Sequence, residues 1–273
     1  MRSKMGLLSY NGAVASYDYN HYEGELPIML GTDRRGEVIM GDLARMGNLL
    51  LWGVGVELSD FLEGLLVNLT SRFSLDEVGI VMLDFAEWCT RFANIPHLVE
   101  PLITDYRQLP DVMPQLKELV RQRIAKFREA SVTSFKEYNL KAVALKREGA
   151  GADGTGLEPM KRILVFMNDP AFLMGITKTE KLFDEFLNYY ASFPVRAVGV
   201  HLILASQPTD ILRWKLFMPG LMRNRLEFLG ADRVSLGEGY DLQAREWLEE
   251  YDNMIYHGYD TDERGMFLQR IVN

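Results

Sequence analysis

The chain has 273 residues and one cysteine, with 48% hydrophobic and 25% charged residues and a formal net charge of −8. The length suits one large α/β domain or two small ones, and a single cysteine excludes an internal disulfide framework or a cysteine-cluster metal site. The acidic balance disfavours nucleic acid as a default partner, and the apolar runs fall far short of the ~18 residues of a membrane span. With one cysteine and no secretory signal pattern, a reducing, cytoplasmic setting is expected.

The first half of the chain predicts alternating strands and helices after an N-terminal arm or linker over residues 1–24. Short strands at 26–30 and 37–43 flank the turn-forming stretch GTDRRG. A buried strand at 48–53 precedes a run with apolar residues at helical spacing, which are Phe61, Leu62, Leu65, Leu66 and Leu69. A second buried strand at 78–85 follows, and then a helix at 114–129 with proline at its start and a basic outer face.

The second half continues the same alternation after a Gly-rich segment, 146–156, that we expect to be a mobile surface loop. Buried strands are predicted at 162–169, 199–207 and 224–230, helices around 182–190 and 243–250, and closing strands at 253–258 and 265–272. Apolar strands without alternation, separated by helices, indicate a mostly parallel sheet covered on both faces. We therefore predict one α/β domain over 25–273.

The order of these elements and their local amino-acid sequences resemble those of a known family. A strand, a Gly loop and a helix are followed by strands ending in Asp84, in Asn168-Asp169 and in Gln207, which is the order of RecA-like motors. The stretch LPIMLGTDRRGEVIMGDLARMGNLLLWG resembles the entry to the FtsK/SpoIIIE ATPase domain, and NIPHLVEPLITD, GVHLILASQPT and MRNRLEF resemble later parts of it. The resemblance implies a RecA-like P-loop NTPase fold over nearly the whole chain.

Within that family, the FREASVTSFKEYN turn and the short loop before the third buried strand are most similar to the FtsK-like modules of type VII secretion motors, EssC and EccC. The resemblance implies sister ATPase modules as partners and small helical secreted proteins of the WXG100 type as cargo. It also implies a place at the inner face of the cell membrane, reached only through other domains, and it makes no strong case for nucleic acid.

The nucleotide loop of such a fold departs from its required pattern. Phosphate binding uses G-x-x-x-x-G-K-[ST], in which the second glycine lets the backbone approach, the lysine reaches the β- and γ-phosphates and the hydroxyl holds Mg²⁺. With Gly53 as the first glycine, Leu58 takes the second glycine position, Ser59 the lysine position and Asp60 the hydroxyl position. All three positions required for the phosphates are changed.

Two carboxylates, those of Glu57 and Asp60, would also meet the triphosphate. Like charges about 4 Å apart repel by about 4 kcal/mol at an effective dielectric constant near 20. The same carboxylates suit the positive end of the following helix, which is the alternative, purely structural interpretation. Starting the pattern at Gly55 does not restore it, because no lysine occurs between Gly55 and Arg72.

The end of the third buried strand is a second, independent place where loss of nucleotide hydrolysis can be recognised. An active motor ends this strand with two acidic residues, one for Mg²⁺ and one for the attacking water. Here the strand ends in Asn168 and Asp169, followed by Pro170. A neutral amide is a poor Mg²⁺ anchor, so this degenerate acidic pair predicts that catalysis is lost.

Other positions that match the family have equally good structural interpretations. Gln207 corresponds to a polar sensor or satisfies a strand end, and Arg223 and Arg225 are possible inter-subunit arginines or ordinary surface residues. Asp84 is interpreted as a strand-end cap. His97, His201 and His257 show no metal-ligand spacing, and Cys89 has no partner pattern for a nucleophile. A basic helix face, solvated or in contact with a partner, is formed by Lys117, Arg121, Arg123, Lys126 and Arg128.

An apolar, Met-bearing stretch suggests a partner surface. Methionine-rich apolar surfaces adapt to helical ligands, although core packing explains the same stretch. Its residues are Trp214, Phe217, Met218, Leu221 and Met222.

Three functions stay open on the sequence alone. The first is a catalytically inactive FtsK-like module that docks partners and regulates a secretion motor, with no cofactor. The second is an active or residual ATP-driven translocase of DNA or protein that uses ATP and Mg²⁺. The third is a binding module that has exchanged the nucleotide for another ligand in the same cleft.

Overall fold

The computed structural model describes most of the chain, and the fold below refers to those residues. They are residues 22–33, 35–53, 56–85, 87, 89–148, 156–169, 177–190, 192–206, 224–228, 254–257 and 266–268. The chain divides into two compact units, one made of residues 1–72, 167–171 and 203–273 and the other of residues 73–166 and 172–202. The single domain over 25–273 stays a prediction. The proposed arm before residue 22, the centre of the Gly-rich loop and the helix at 243–250 lie outside the described residues.

The described strands form a two-stranded sheet and a seven-stranded sheet. The strands are β1 Pro27–Thr32, β2 Val38–Asp42, β3 Leu49–Trp52, β4 Val78–Asp84, β5 Arg162–Asn168, β6 Val200–Ser206, β7 Arg225–Phe228, β8 Met254–His257 and β9 Met266–Leu268. Antiparallel β1 and β2 form the small sheet, and the large sheet has the order β4-β5-β6-β3-β7-β8-β9. β3 runs parallel to β6 and β7, whereas β8 and β9 are antiparallel. The predicted mostly parallel α/β sheet, typical of RecA-like folds, is confirmed.

The described helices connect these strands. They are α1 Leu43–Met46, α2 Val56–Arg72, α3 Leu109–Glu129, α4 Phe135–Arg147, α5 Thr177–Tyr190 and α6 Phe193–Ala197, with two 3₁₀ turns at Thr90–Phe92 and Tyr106–Gln108. None of the helices in the described part of the chain is both long and apolar enough to cross a membrane. The same residues contain no group of three or more histidine, cysteine, aspartate and glutamate side chains that could hold a metal ion.

In the first unit, Asp42 connects the β1–β2 hairpin to the chain before and after it. Its carboxylate accepts hydrogen bonds from the N–H groups of Glu25 at 3.1 Å, Leu26 at 2.9 Å and Ala44 at 3.0 Å. The last of these makes Asp42 the N-cap of α1. Asn224 then donates from its side chain to the Met46 carbonyl at 2.7 Å, which holds the end of α1 against the chain just before β7.

In the second unit, Arg123 of α3 is a structural residue. Its guanidinium donates to the carbonyls of Val198 at 2.9 Å and Lys161 at 2.7 Å, so it ties together the chain just before β5 and β6. The side chain is only 6% exposed, so the prediction of Arg123 on an exposed basic face is wrong. A buried guanidinium needs several acceptors, and the carbonyls at the strand starts provide them.

The structure also corrects the start of one predicted helix and adds one helix that was not predicted. α3 begins at Leu109 instead of residue 114, because Asp105 caps the preceding 3₁₀ turn and Pro110 lies in the first helical turn, where its missing N–H costs nothing. α4 was not predicted as a helix, and its start lies inside the stretch interpreted as a turn. Ser134 caps its N-terminus by accepting from the Glu137 N–H, which is a capping-box pattern present in the sequence.

Candidate functional site

The candidate nucleotide loop follows β3 in the first unit, and its first glycine is closely packed. The Gly53 N–H donates to the Ser206 carbonyl at 3.1 Å, which continues the pairing of β3 with β6. A Cβ built on Gly53 would lie 2.6 Å from the Phe228 Cβ and 3.1 Å from the Phe228 carbonyl oxygen. Gly53 is therefore required by its contact with the end of β7, whether or not a phosphate binds.

The second glycine position of the pattern is occupied by a core residue. Leu58 is 0% exposed and lies in the first turn of α2, the helix that follows the loop. The Phe61 and Phe228 rings lie with their centroids 5.3 Å apart and tilted by 59°. The start of α2 is thus packed into an apolar core through Leu58 and Phe61. The Leu58 side chain occupies the space in which a glycine would let a phosphate approach the backbone.

The remaining loop positions are half-buried or outside the described part. Ser59 and Asp60 are both half-buried within α2, and each makes contacts in the folded chain. Glu57 belongs to the same helix, but its side chain, like Gly55 as a whole, lies outside the described residues. No lysine occurs between Gly53 and Arg72, so this segment offers no ammonium group to a phosphate.

The degenerate acidic pair, Asn168 and Asp169, lies at the C-terminal end of β5, in the first unit. Asn168 is 2% exposed at the end of the strand, and the Asp169 N–H donates to the Ala205 carbonyl at 2.8 Å, in line with β6. Asp169 has φ of 48°, a left-handed conformation that aspartate tolerates better than most residues. Burial raises the pKa of its carboxyl, and its Oδ1 atom is buried without a hydrogen-bond partner among the described residues.

These observations test whether a magnesium nucleotide fits. Mg²⁺ needs ionised oxygen ligands, whereas burial disfavours the charged form of Asp169 and Asn168 is neutral. A triphosphate needs a positive group and free backbone amides, whereas the segment offers Leu58 and Ser59. The residues present therefore do not fit the nucleotide that this fold ordinarily holds.

One of the two candidate arginines is paired within its own strand. Arg225 Nε donates to Glu227 Oε1 at 2.5 Å, and the side chains are 30% and 6% exposed. The register places Arg225 opposite Leu50 and Glu227 opposite Trp52. Glu227 and Phe228 were not predicted as site residues from the sequence, because only the folded sheet shows what the end of β7 contacts. Gln207 and Arg223 lie outside the described residues, as does the Met-bearing stretch of Trp214, Phe217, Met218, Leu221 and Met222.

In the second unit, Asp84 fixes a turn at the end of β4. Its fully buried carboxylate accepts from the Cys89 N–H at 2.6 Å, which supports its interpretation as a strand-end cap. Burial, with a smaller contribution from the Asp84 charge, raises the pKa of the Cys89 thiol to about 12. His97 Nε2 lies 2.7 Å from the Phe73 carbonyl, and His201 Nε2 lies 3.2 Å from Arg162.

Comparison with known proteins identifies the family. Residues 13–211 match the FtsK/SpoIIIE family. The chain belongs to that family. A DNA translocase FtsK from Caldanaerobacter subterraneus subsp. tengcongensis is 26% identical over 245 residues, which cover 89% of this chain and 32% of that protein. The chain thus spans about a third of the length of this curated relative.

Solved structures confirm the fold of this FtsK/SpoIIIE member. EccC from Thermomonospora curvata (ATPases 2 and 3, in complex with a signal sequence peptide) has a TM-score of 0.65 and 19% identity, with 93% of this chain and 44% of that chain covered. The pCW3 conjugation coupling protein TcpA, solved with ATPγS, has a TM-score of 0.68 and 20% identity, with 94% and 69% covered. A secretion protein and a conjugation protein are about equally similar in fold to this chain. The likeness therefore shows that the chain has the P-loop ATPase architecture, and it does not distinguish between these two functions.

Proposed function

We propose that this chain is a catalytically inactive, pseudo-ATPase module of a type VII protein secretion motor, where it docks partners and regulates sister modules. The observation that carries the proposal is the burial of Leu58, 0% exposed, at the position where a nucleotide-binding loop has its second glycine. Under this proposal the chain uses neither ATP nor Mg²⁺. It works at the cytoplasmic face of the membrane, which it reaches through other domains of the motor.

Loss of binding follows from several changes that act independently. Leu58 blocks the approach of the backbone, Ser59 supplies no positive charge, and Asn168 supplies no carboxylate. One such change weakens a site, whereas an active enzyme needs the lysine and the acidic pair together. The strands that frame the loop are intact, which supports a retained structural role in place of catalysis.

The docking role is supported by the EccC structure, which contains a signal sequence peptide bound to that protein. A module of similar fold that has lost its nucleotide keeps the surfaces by which it contacts sister modules and cargo. We therefore propose sister ATPase modules and small helical secreted proteins as partners. The Met-bearing stretch around Phe217 and Met218 is the proposed cargo surface.

The alternative function is an ATP-driven translocase of DNA or protein. Two observations favour it: the curated relative from Caldanaerobacter is a DNA translocase, and the TcpA structure was solved with a nucleotide analogue. This alternative requires another group to replace the lysine, and it requires Asp169 to be ionised when Mg²⁺ binds. Both requirements can be tested directly.

The deciding experiment is isothermal titration calorimetry of the chain with Mg²⁺-ATP, beside a variant Leu58→Gly/Ser59→Lys/Asp60→Thr. We expect no measurable binding to the natural chain, that is, a Kd weaker than about 1 mM. Because Leu58 is in the core, Leu58→Gly alone serves as the control for loss of folding, checked by circular dichroism. If the triple variant binds Mg²⁺-ATP, then Leu58, Ser59 and Asp60 are the cause of the lost nucleotide binding.

Micromolar binding of Mg²⁺-ATP to the natural chain would overturn the proposal. The translocase would then be tested by ATP turnover with and without DNA, and by Asp169→Asn, which removes the remaining carboxylate. The inactive role would be supported by two results together. The natural chain binds no nucleotide, and a motor reconstituted from this chain and active sister modules still secretes its cargo.

A further inference from the structure

Helix α4 presents apolar side chains to solvent. Leu140 is 63% exposed and Val143 is 37% exposed, and Ala144 beside them is also exposed. Among the described residues, the only other large apolar side chain with comparable exposure is Leu75. Single exposed apolar residues are ordinary, but here two of three lie one turn apart on one helix. We call Leu140, Val143 and Ala144 the α4 stripe.

The α4 stripe belongs to a firmly anchored helix. The opposite face of α4 is buried through Phe135, Tyr138 and Ala142. Asn139 holds the chain before β5 with two hydrogen bonds, donating to the Met160 carbonyl and accepting from the Met160 N–H, both at 2.8 Å. Because one face is fixed in this way, the stripe has a defined position in the second unit and a partner meets a preorganised surface.

The spacing of the α4 stripe suits another helix. Residues at i, i+3 and i+4 form the ridge that packs into the groove of a neighbouring helix. The small Ala144 side chain permits close approach beside the larger Leu140 and Val143. The stripe covers only one to two turns, which is short for a helix that lies in a membrane interface with its whole apolar face buried.

The charges around the α4 stripe select the partner. Lys136 lies one turn before Leu140 and Arg147 one turn after Val143 on the same side of the helix, and both are exposed. Two exposed acidic residues flank the stripe, Glu137 before Leu140 and Glu148 one turn after Ala144. The Glu137 carboxylate accepts from the Thr133 N–H at 2.9 Å and the Thr133 hydroxyl at 3.1 Å. Against these two, α4 exposes four basic residues, Lys136, Lys141, Lys146 and Arg147, of which Lys136 also makes a contact in the folded chain and Lys146 pairs with Glu158, so the surroundings of the stripe are basic on balance. This basic frame occurs on a chain with a net charge of −8.

We propose that the α4 stripe docks an acidic amphipathic helix of a partner protein, with apolar side chains at i, i+3 and i+4 and acidic residues one turn beyond each end. A second copy of the same chain is a poorer occupant, because its own α4 would bring Lys136 and Arg147 against their like charges. This proposal does not rest on the state of the nucleotide loop, since all the residues that carry it lie in the other unit.

The test uses the full chain and three fluorescein-labelled synthetic peptides of about 18 residues, a length at which designed helices are stable enough to fold. The first has a leucine stripe flanked by glutamates, the second replaces the glutamates with lysines, and the third replaces the leucines with glutamines. By fluorescence anisotropy we expect the first to bind with a Kd on the order of 10–100 μM and the others at least about tenfold more weakly.

Matched variants locate the site. Leu140→Gln/Val143→Gln removes the apolar contact and is expected to weaken the acidic peptide about tenfold, whereas Leu75→Gln, a change at an exposed leucine elsewhere, leaves it unchanged. Lys136→Glu/Arg147→Glu is expected to reverse the preference toward the lysine peptide. Circular dichroism confirms that each variant remains folded, which the exposure of these side chains favours.

Results of three kinds, with the peptides, with a second copy and with vesicles, would overturn the proposal. One is equal binding of the acidic and the basic peptide, or acidic binding that Leu140→Gln/Val143→Gln leaves intact. Another is self-association, measured by analytical ultracentrifugation, that the same variant abolishes, because a second copy would then occupy the stripe. The third is binding to phosphatidylglycerol vesicles that this variant abolishes, with no binding of the acidic peptide.

Discussion

Gly53 packs directly against Phe228, and there is no room between them for a single methyl group. The added Cβ would meet the Cβ and the carbonyl oxygen of Phe228, at 2.6 and 3.1 Å, and these atoms move only with the backbone of β7. A glycine that the sequence assigns to a phosphate loop is thus explained by the meeting of two strand ends. Its presence does not by itself indicate a nucleotide site.

We predict that Gly53→Ala destabilises the fold by about 1–3 kcal/mol through overpacking. The matched control is Gly79→Ala in β4, where the nearest atoms, Val99 Cγ1 at 2.6 Å and Ile163 Cδ1 at 3.0 Å, belong to side chains and not to a strand backbone, so a smaller loss is expected there. Urea unfolding of both variants measures the difference. A loss at Gly53→Ala well below about 1 kcal/mol would show that the backbone of β7 adjusts to the added methyl group.

We predict that Asp169→Asn stabilises the chain at neutral pH. Burial raises the pKa of Asp169 in the folded state, so its ionisation opposes folding. This penalty is absent below the ordinary aspartate pKa of 3.8 and grows as the pH rises through the raised value. Asparagine also tolerates the left-handed backbone at φ of 48°. Thermal unfolding at pH 3.5 and 7 should show a gain only at the higher pH.

Asp105→Asn is the control for Asp169→Asn, because the pKa of Asp105 is lowered in the folded state and the stability change at neutral pH should have the opposite sign. Hydrogen bonds from Arg107 lower the pKa of Asp105, so its ionised form favours the folded state. The variant should lose stability at neutral pH and match the natural chain at low pH, where Asp105 is protonated in both states. A loss at pH 7 for Asp169→Asn as well would indicate that the Asp169 carboxylate has a favourable partner when ionised.

We predict that Arg123→Met is strongly destabilising, whereas Arg121→Met on the same helix is nearly neutral. Arg123 is buried and donates to the carbonyls of Val198 and Lys161, and each carbonyl left unpaired costs about 1–3 kcal/mol. Arg121 is 73% exposed and pairs only with Glu118 at the surface. Urea denaturation compares the two. Similar small losses would mean that water replaces the guanidinium.

We predict that Cys89 is unreactive in the folded chain. Burial raises the pKa of its thiol to about 12, so almost no thiolate exists at pH 8. Labelling with Ellman's reagent should proceed only as fast as the chain unfolds and should become rapid in guanidinium chloride. Stoichiometric labelling of the native chain within minutes would mean that the turn held by Asp84 opens readily.

The sequence predicted the strands well, because long apolar runs such as 162–168 and 200–206 have few alternatives to a buried strand. It placed Asn168 at the strand end where the fold puts it, whereas Leu58, assigned to the loop, lies in the first turn of α2. It failed where the answer depends on distant contacts. The acceptors of Arg123 come from segments 38 and 75 residues away, so its charge looked like part of a solvated face.

Local signals account for the other differences. Ser134 and Glu137 form a recognisable capping box, and reading it as a helix start would have found α4. The left-handed backbone of Asp169 and the contact between Gly53 and Phe228 have no such local signal, because they arise where three strands end together. These are also the features that decide what the candidate site can hold.

The hydrogen bonds of Asp42 have a mechanical consequence. Tension on the chain that precedes Glu25 reaches the Asp42 carboxylate first, since this group holds the N–H groups of both Glu25 and Leu26. The same carboxylate also holds the Ala44 N–H, so a pull is shared between the end of the β1–β2 hairpin and α1 before it reaches β3. We therefore expect the hairpin and α1 to take up part of a force that arrives along the backbone before it reaches the strand that carries Gly53.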